Sequence, residues 1–218
     1  MLSPFPAQEC CARSSARGPA RHPLRPLLQL LAGVGLGAAL LGCSPALDWR
    51  QAGPEHVDLL MDFPCKPQNL SQPVLLAGKR LQMTMTGCEA AHMTFALAHA
   101  DVGEPALVAP ALAELHHAAL GNISARVLAQ RAASVHHADA GLGDAVELDL
   151  AGQAPRGAGL REHVLLFAQG TQVFQATVLA RDKDYKEDAA RTFAGSVQLG
   201  APPAHAPRAA SGAGASVD

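Results

Sequence analysis

Aromatic residues make up only 4% of the 218-residue chain, with one tryptophan, one tyrosine and six phenylalanines. That leaves no stock of stacking rings for a sugar-binding face or for single-stranded nucleic acid. Lysine is scarce (Lys66, Lys79, Lys183, Lys186), isoleucine occurs once (Ile123) and asparagine twice (Asn69, Asn122), while alanine and glycine abound. Such a bias reads as GC-rich coding and not as function. Catalytic signatures are missing as well: there is no GxSxG elbow, no HExxH and no P-loop. Gly33-Val34-Gly35-Leu36-Gly37 lacks the preceding strand and the glycine spacing of a dinucleotide loop. Asp182 and Asp184 open like a calcium loop, yet Glu187 stands where the sharp-turn glycine is required.

Long apolar runs are also few. One stands out, Leu27 to Gly42, which is apolar apart from Gln29 and shorter than the roughly 20 residues that span a bilayer. Before it, residues 1–26 carry four arginines (Arg13, Arg17, Arg21, Arg25) against one acid, Glu9. This is the basic region and apolar region of an export signal. The run ends in Leu40-Leu41-Gly42-Cys43, which resembles the bacterial lipobox. The resemblance implies that residues 1–42 are a signal peptide cut before Cys43, that the Cys43 thiol takes diacylglycerol, and that the new amino terminus is acylated. Three acyl chains would form a lasting membrane anchor, where one alone binds only marginally. Ser44 stands where an aspartate would imply inner-membrane retention, so the periplasmic leaflet of the outer membrane is favoured over the inner membrane. The alternative is a single-pass protein that keeps residues 27–42 as an uncleaved helix.

Processing would remove Cys10 and Cys11 with four arginines and one glutamate, leaving 13 basic and 18 acidic residues and a formal charge of −5. An acidic body argues against a nucleic-acid or anionic-lipid partner reached by electrostatics. Cys65 and Cys88 remain as a pair in an oxidising compartment, and a disulfide is the economical assignment. Its loop of about 24 residues corresponds to roughly 3 kcal/mol in the chain-entropy model. Cys88 falls on the polar parity of its strand and Cys65 follows Pro64, so the two are expected to meet at a strand end.

Along the rest of the chain, Val57, Leu59, Met61 and Phe63 alternate with polar residues and predict a strand. Asn69 to Gln72 reads as a polar turn. Val74 to Ala77 and Leu81 to Met85 read as a hairpin about Gly78, and Met93, Phe95 and Leu97 as a further strand. From Glu104 the period becomes helical through Val108, Leu112, Leu115 and Ala119, closed by Gly121. Strand signals follow near 127–135 and 145–150, then a hairpin at 163–168 and 171–179 about Gln169-Gly170. A last helix begins with Asp184 as cap, Glu187 three residues on, and Tyr185, Ala189, Phe193 and Val197 as its stripe. The expectation is an α+β domain, an antiparallel sheet with helices packed on it. Residues 43–55 would be a tether, 56–198 the periplasmic domain, and 199–218 a disordered tail rich in Pro, Ala, Gly and Ser.

This order, with the closing segment Ala189-Ala190-Arg191-Thr192-Phe193-Ala194-Gly195-Ser196, resembles the PsbP-like superfamily, which includes the DcrB-type envelope lipoproteins. The resemblance implies binding, assembly or accessory roles and no shared active-site residues. Histidine is the competing signal, ten in the chain. His116 and His117 on the predicted helix point about 100° apart and cannot grip one ion together. His136, His137 and Asp139 have ligand-type side chains in a loop and are the candidate metal residues. His99 with Asp101, and Arg161 and Glu162 with His163, could each be half of an acid–base pair, but no nucleophile accompanies them. The reading is therefore a non-catalytic lipoprotein, bound to the membrane through its anchor and to an envelope protein or small ligand, without cofactor. Its rival is a metal-binding or enzymatic periplasmic protein.

Overall fold

A computed structural model describes residues 46–139 and 141–201. Strand β1 is Arg50–Ala52, β2 Leu59–Phe63, β3 Gln68–Leu76, β4 Lys79–Ala90 and β5 Met93–Asp101. A short 3-10 helix, Pro105–Leu107, leads into α1, Val108–Asn122. Then come β6 Arg126–Ala132, β7 Val146–Gln153, β8 Gly159–Gln169, β9 Gln172–Arg181, α2 Glu187–Gly195 and β10 Gln198–Leu199. Seven strands form one antiparallel sheet in the order β3-β4-β5-β9-β8-β7-β6, and β1-β2-β10 form a small second sheet. The strands, helix, strands, helix order is present, but strand predominates, with ten strands and two α-helices among the described residues.

Successive residues of a strand point to opposite faces, and here both faces of the large sheet are buried. On one, Phe95 and Leu97 of β5, Leu165 and Phe167 of β8, and Phe174 and Val178 of β9 pack against α2 and β2. Phe193 of α2 meets Phe63 and Phe95 edge-on, with ring centroids 5.2 and 5.4 Å away. On the other, Leu148 and Leu150 of β7, Val164 and Leu166 of β8, and Val173 of β9 lie under Val108, Ala111, Leu112, Leu115 and Ala119 of α1. Pro110 sits in the first turn of α1, where a missing N–H breaks no intrahelical bond. At Gly152 a Cβ would stand 2.2 Å from the Ile123 carbonyl oxygen, so the absent side chain lets the end of α1 rest on β7.

Several sequence expectations change. Residues 43–55 are not all tether: Leu47 and Trp49 pack on the aromatic core, and Arg50–Ala52 pair with β2. The apolar side chains of this segment make it part of the fold. Likewise Leu199, assigned to the tail, is buried in β10 opposite Leu59. Asn69 to Gln72 are strand and not turn, their polarity reflecting an edge position where Asn69 and Ser71 bond the Thr86 and Thr84 hydroxyls of β4. Asp184 does not cap α2, because the helix starts only at Glu187 and places Lys186 at the cap position, with no side-chain bond; Asp184 instead lies in a turn closed by its N–H onto the Arg181 carbonyl. The expected signal segment 1–42 with Cys43, and most of the expected tail, lie outside the described residues.

Cys65 and Cys88 form a disulfide, with Cα atoms 6.0 Å apart. They meet just beyond β2 and near the end of β4, as expected of strand ends. The polar parity of Cys88 misleads in one respect. It faces the same side as its cross-strand partner Phe95, against the aromatic core.

Candidate functional site

Helix α1 packs over β8, β9 and part of β7, and the outermost strand β6 lies beyond its cover. The space left is a groove of about 840 Å³ between α1 and the segment 132–146. Leu112, Val146 and Leu166 contribute apolar lining, Ala109, Ala113, Ala132 and Ala138 keep it open, and His116, His117 and Asp144 bring polar groups. At Gly143 a Cβ would meet Leu112 Cδ1 at 2.5 Å, so this glycine lets the loop close down on the helix. His117 is exposed and His116 half-buried, as their helical angles require.

A polar cluster lies at the same edge, and Arg131 belongs both to it and to the groove lining. Residues 131, 147, 149 and 163 come from β6, β7 and β8, and the register places Arg131 opposite Glu147 and Asp149 opposite His163. Arg131 donates to Glu147 at 2.6 Å and to Asp149 at 2.9 Å. His163, only 1% exposed, has Nδ1 2.7 Å from Asp149 Oδ1 and Nε2 2.8 Å from Glu147 Oε1. The second contact is off the hydrogen-bond direction, leaving Nε2 without an aligned partner. Burial would raise the Asp149 pKa, but the bonds from Arg131 and His163 outweigh it and hold the carboxyl below its ordinary value. Arg161 lies over the Tyr185 ring at 5.1 Å, and burial, aided by the Asp149 charge, pushes Tyr185 up to about 12. The cluster holds the His163–Asp149 pair with the Tyr185 phenol within reach of the Asp149 charge, and it ties three strands together.

Glu162 points from β8 to the α1 face, opposite Leu150 and Leu179. It is 5% exposed, its Oε2 has no partner among the described residues, and burial pushes its pKa up to about 7. Adjacent in sequence, Glu162 and His163 therefore serve different faces and do not form one acid–base pair. His99 stacks near Phe174, and burial lowers its pKa against an opposing influence from Gln172, which stands close without forming an aligned bond. Asp101 instead accepts the Gly103 N–H at 2.8 Å.

Of the candidate metal residues, His136 and His137 bring their rings within 3.8 Å. His137 Nδ1 lies 3.0 Å from the Leu199 carbonyl oxygen, and Asp139 accepts the Gly170 N–H at the β8–β9 turn. Among the described residues no group of three or more His, Cys, Asp or Glu stands placed to hold a metal ion. Glu147, Asp149 and Arg131 are the members of the polar cluster that sequence reasoning passed over. The alternation of Glu147 and Asp149 with Leu148 and Leu150 marks the two acids as sharing a face of β7; nothing local joins Arg131 of β6 to them.

No family model matches the chain, and no curated protein matches it. Among solved structures it is similar to a protein of unknown function from Pseudomonas aeruginosa, PA94, described as a candidate regulator. The identity is 13% and the TM-score 0.36, over 62% of this chain and 85% of that one. A likeness at that level assigns neither fold nor function.

Proposed function

We propose that the protein is a lipoprotein of the bacterial cell envelope, anchored through Cys43, whose sheet domain binds a partner or ligand for envelope assembly without catalysing a reaction. The observation that carries this reading is the Cys65–Cys88 bridge. A structural disulfide belongs to an oxidising compartment, which is where a chain with the Leu40-Leu41-Gly42-Cys43 signal would be delivered. The α1 groove is the binding surface on this reading, and the polar cluster is structural. The PsbP-like and DcrB-like resemblance points the same way.

Metabolic labelling with a palmitate analogue tests the anchor. Wild type is expected to take the label and Cys43→Ala to lose it; equal labelling of both would remove the basis for a lipoprotein.

A further inference from the structure

We infer that the domain stands on its membrane by the disulfide-bonded end of the sheet and turns the α1 groove away from the bilayer. The inference rests on the lipidation of Cys43 proposed above. Only Ser44, Pro45 and Ala46 separate Cys43 from Leu47, which already packs on the aromatic core. Four residue steps reach at most about 14 Å. Strand β8 has 11 residues, and at about 3.3 Å per residue the sheet is roughly 36 Å tall. A leash so much shorter than the sheet decides which end lies near the lipid.

That end is fixed by contacts of the amino-terminal segment. The Asp48 N–H bonds the Pro64 carbonyl at 2.9 Å, Trp49 stands edge-on to Phe95 at 6.1 Å, and Arg50 pairs with Phe63 beside the Cys65–Cys88 bridge. Phe95 is near the start of β5, and its partner Val178 is near the end of β9. The groove residues Ala132, Val146 and Leu166 belong to the other end, where β6 stops, β7 starts and β8 nears its close. Gly200 is also there, its carbonyl oxygen 2.9 Å from Gln169 Nε2. The described chain thus begins at one end of the sheet and finishes at the other.

Charge does not set this orientation. Asp48, Glu187 and Asp188 accompany Arg50, Lys66 and Lys186 near the leash, so attraction to anionic headgroups largely cancels. The covalent leash alone selects the end. A partner in the groove would then approach from the aqueous compartment, and a lipid lifted directly from the anchoring leaflet is not a fitting occupant.

Trp49 is the chain's only tryptophan and therefore a natural donor for energy transfer to dansyl-labelled lipid headgroups. The experiment uses the full mature lipidated protein in phosphatidylcholine vesicles. Transfer from Trp49 is expected to be several-fold stronger than from a tryptophan at the far end, in the Trp49→Phe, Leu75→Trp variant; Leu75 is 75% exposed and one residue from the end of β3. Inserting a flexible Gly/Ser segment of about 20 residues after Ser44 should weaken Trp49 transfer, and adding phosphatidylglycerol should leave it unchanged. Equal transfer from the two positions, or no response to the insertion, overturns the orientation. If the double variant does not fold, the insertion decides, because it keeps every native residue of the domain. The mass of the amino-terminal peptide separates the two failures: an unlipidated Cys43 defeats the lipoprotein reading and the orientation with it, whereas a lipidated protein without the transfer difference defeats the orientation alone.

Discussion

The two faces of the large sheet are built from different materials. Phe63, Phe95, Phe167, Phe174 and Phe193 all lie in the core beneath α2, with Trp49 and Cys88 packed against it. The core beneath α1 has no aromatic residue and consists of Leu, Val, Ala and Ile. Large rings that meet edge-on fill space with few pieces, and this face also receives the amino-terminal segment and the disulfide. Small aliphatic side chains under one helix cover less of the sheet, and the groove is what they leave open. The rings and the disulfide are thus concentrated on one side, while each side keeps an open cleft, one beside Trp49 and α2 and the other beside α1.

Truncating Phe193 should break the contrast most severely. Phe193→Ala removes a fully buried ring that touches two others, and about 4 kcal/mol of unfolding free energy is the expected loss. Leu115→Ala on the α1 face, where the leucine is less completely buried, should cost about 2 to 3 kcal/mol. Urea melts of the two variants check the ranking, and a larger loss at Leu115 would reverse the comparison.

Next in size is the bridge. Replacing Cys65 and Cys88 together with alanine should cost roughly 3 kcal/mol, read as a lower urea midpoint than the oxidised wild type. Wild type treated with reductant should approach the variant. Coincident midpoints for oxidised wild type and the double variant would show that the aromatic face stands without its staple.

How far the sequence discloses these faces depends on whether a signal is local. The alternation of Met93, Phe95 and Leu97 and the spacing of Val108, Leu112, Leu115 and Ala119 mark strand and helix directly. The Cys65–Cys88 pair follows from the expected compartment and from the count of cysteines left after Cys43. Alternation alone, however, marks only which residues share a face; it does not tell solvent from a second core, which is why the parity of Cys88 looked polar. Edge strands hide for the opposite reason, since Asn69 to Gln72 have too little burial to show a pattern. The Arg131, Glu147, Asp149 and His163 cluster depends on the register of three strands separated by loops. No local spacing carries that information. The groove is still less legible, being the space between α1 and a loop.

Ionisable groups sharpen the comparison because the two faces respond to pH with opposite sign. Glu162, on the aliphatic face, keeps its proton up to about 7 when folded, against an ordinary value of 4.5. Between those values the unfolded chain releases the proton first, so stability declines as pH rises and the decline levels off once the folded group also ionises. Glu162→Gln should be close to wild type at pH 4 and more stable by about 2 to 3 kcal/mol at pH 8. Thermal melts at the two values provide the check, and a variant equally displaced at both would point to lost packing and not to a buried charge.

Asp149 is the counterpart on the aromatic face and the smallest effect of the series. Its carboxylate is held by Arg131 and His163, and the folded pKa lies below the ordinary 3.8. Stability from this group is therefore present above the unfolded value and lost as pH falls through the folded one. Asp149→Asn should cost about 1 to 2 kcal/mol at pH 7, a gap that narrows toward pH 3 as wild type loses the same interaction. The asparagine keeps the volume and one acceptor, so Arg131 and Glu147 can still join β6 to β7. That residual tie is why the expected loss is smaller than at Phe193. A gap that stayed constant into acid would mean that the loss comes from changed packing and not from the carboxylate's charge.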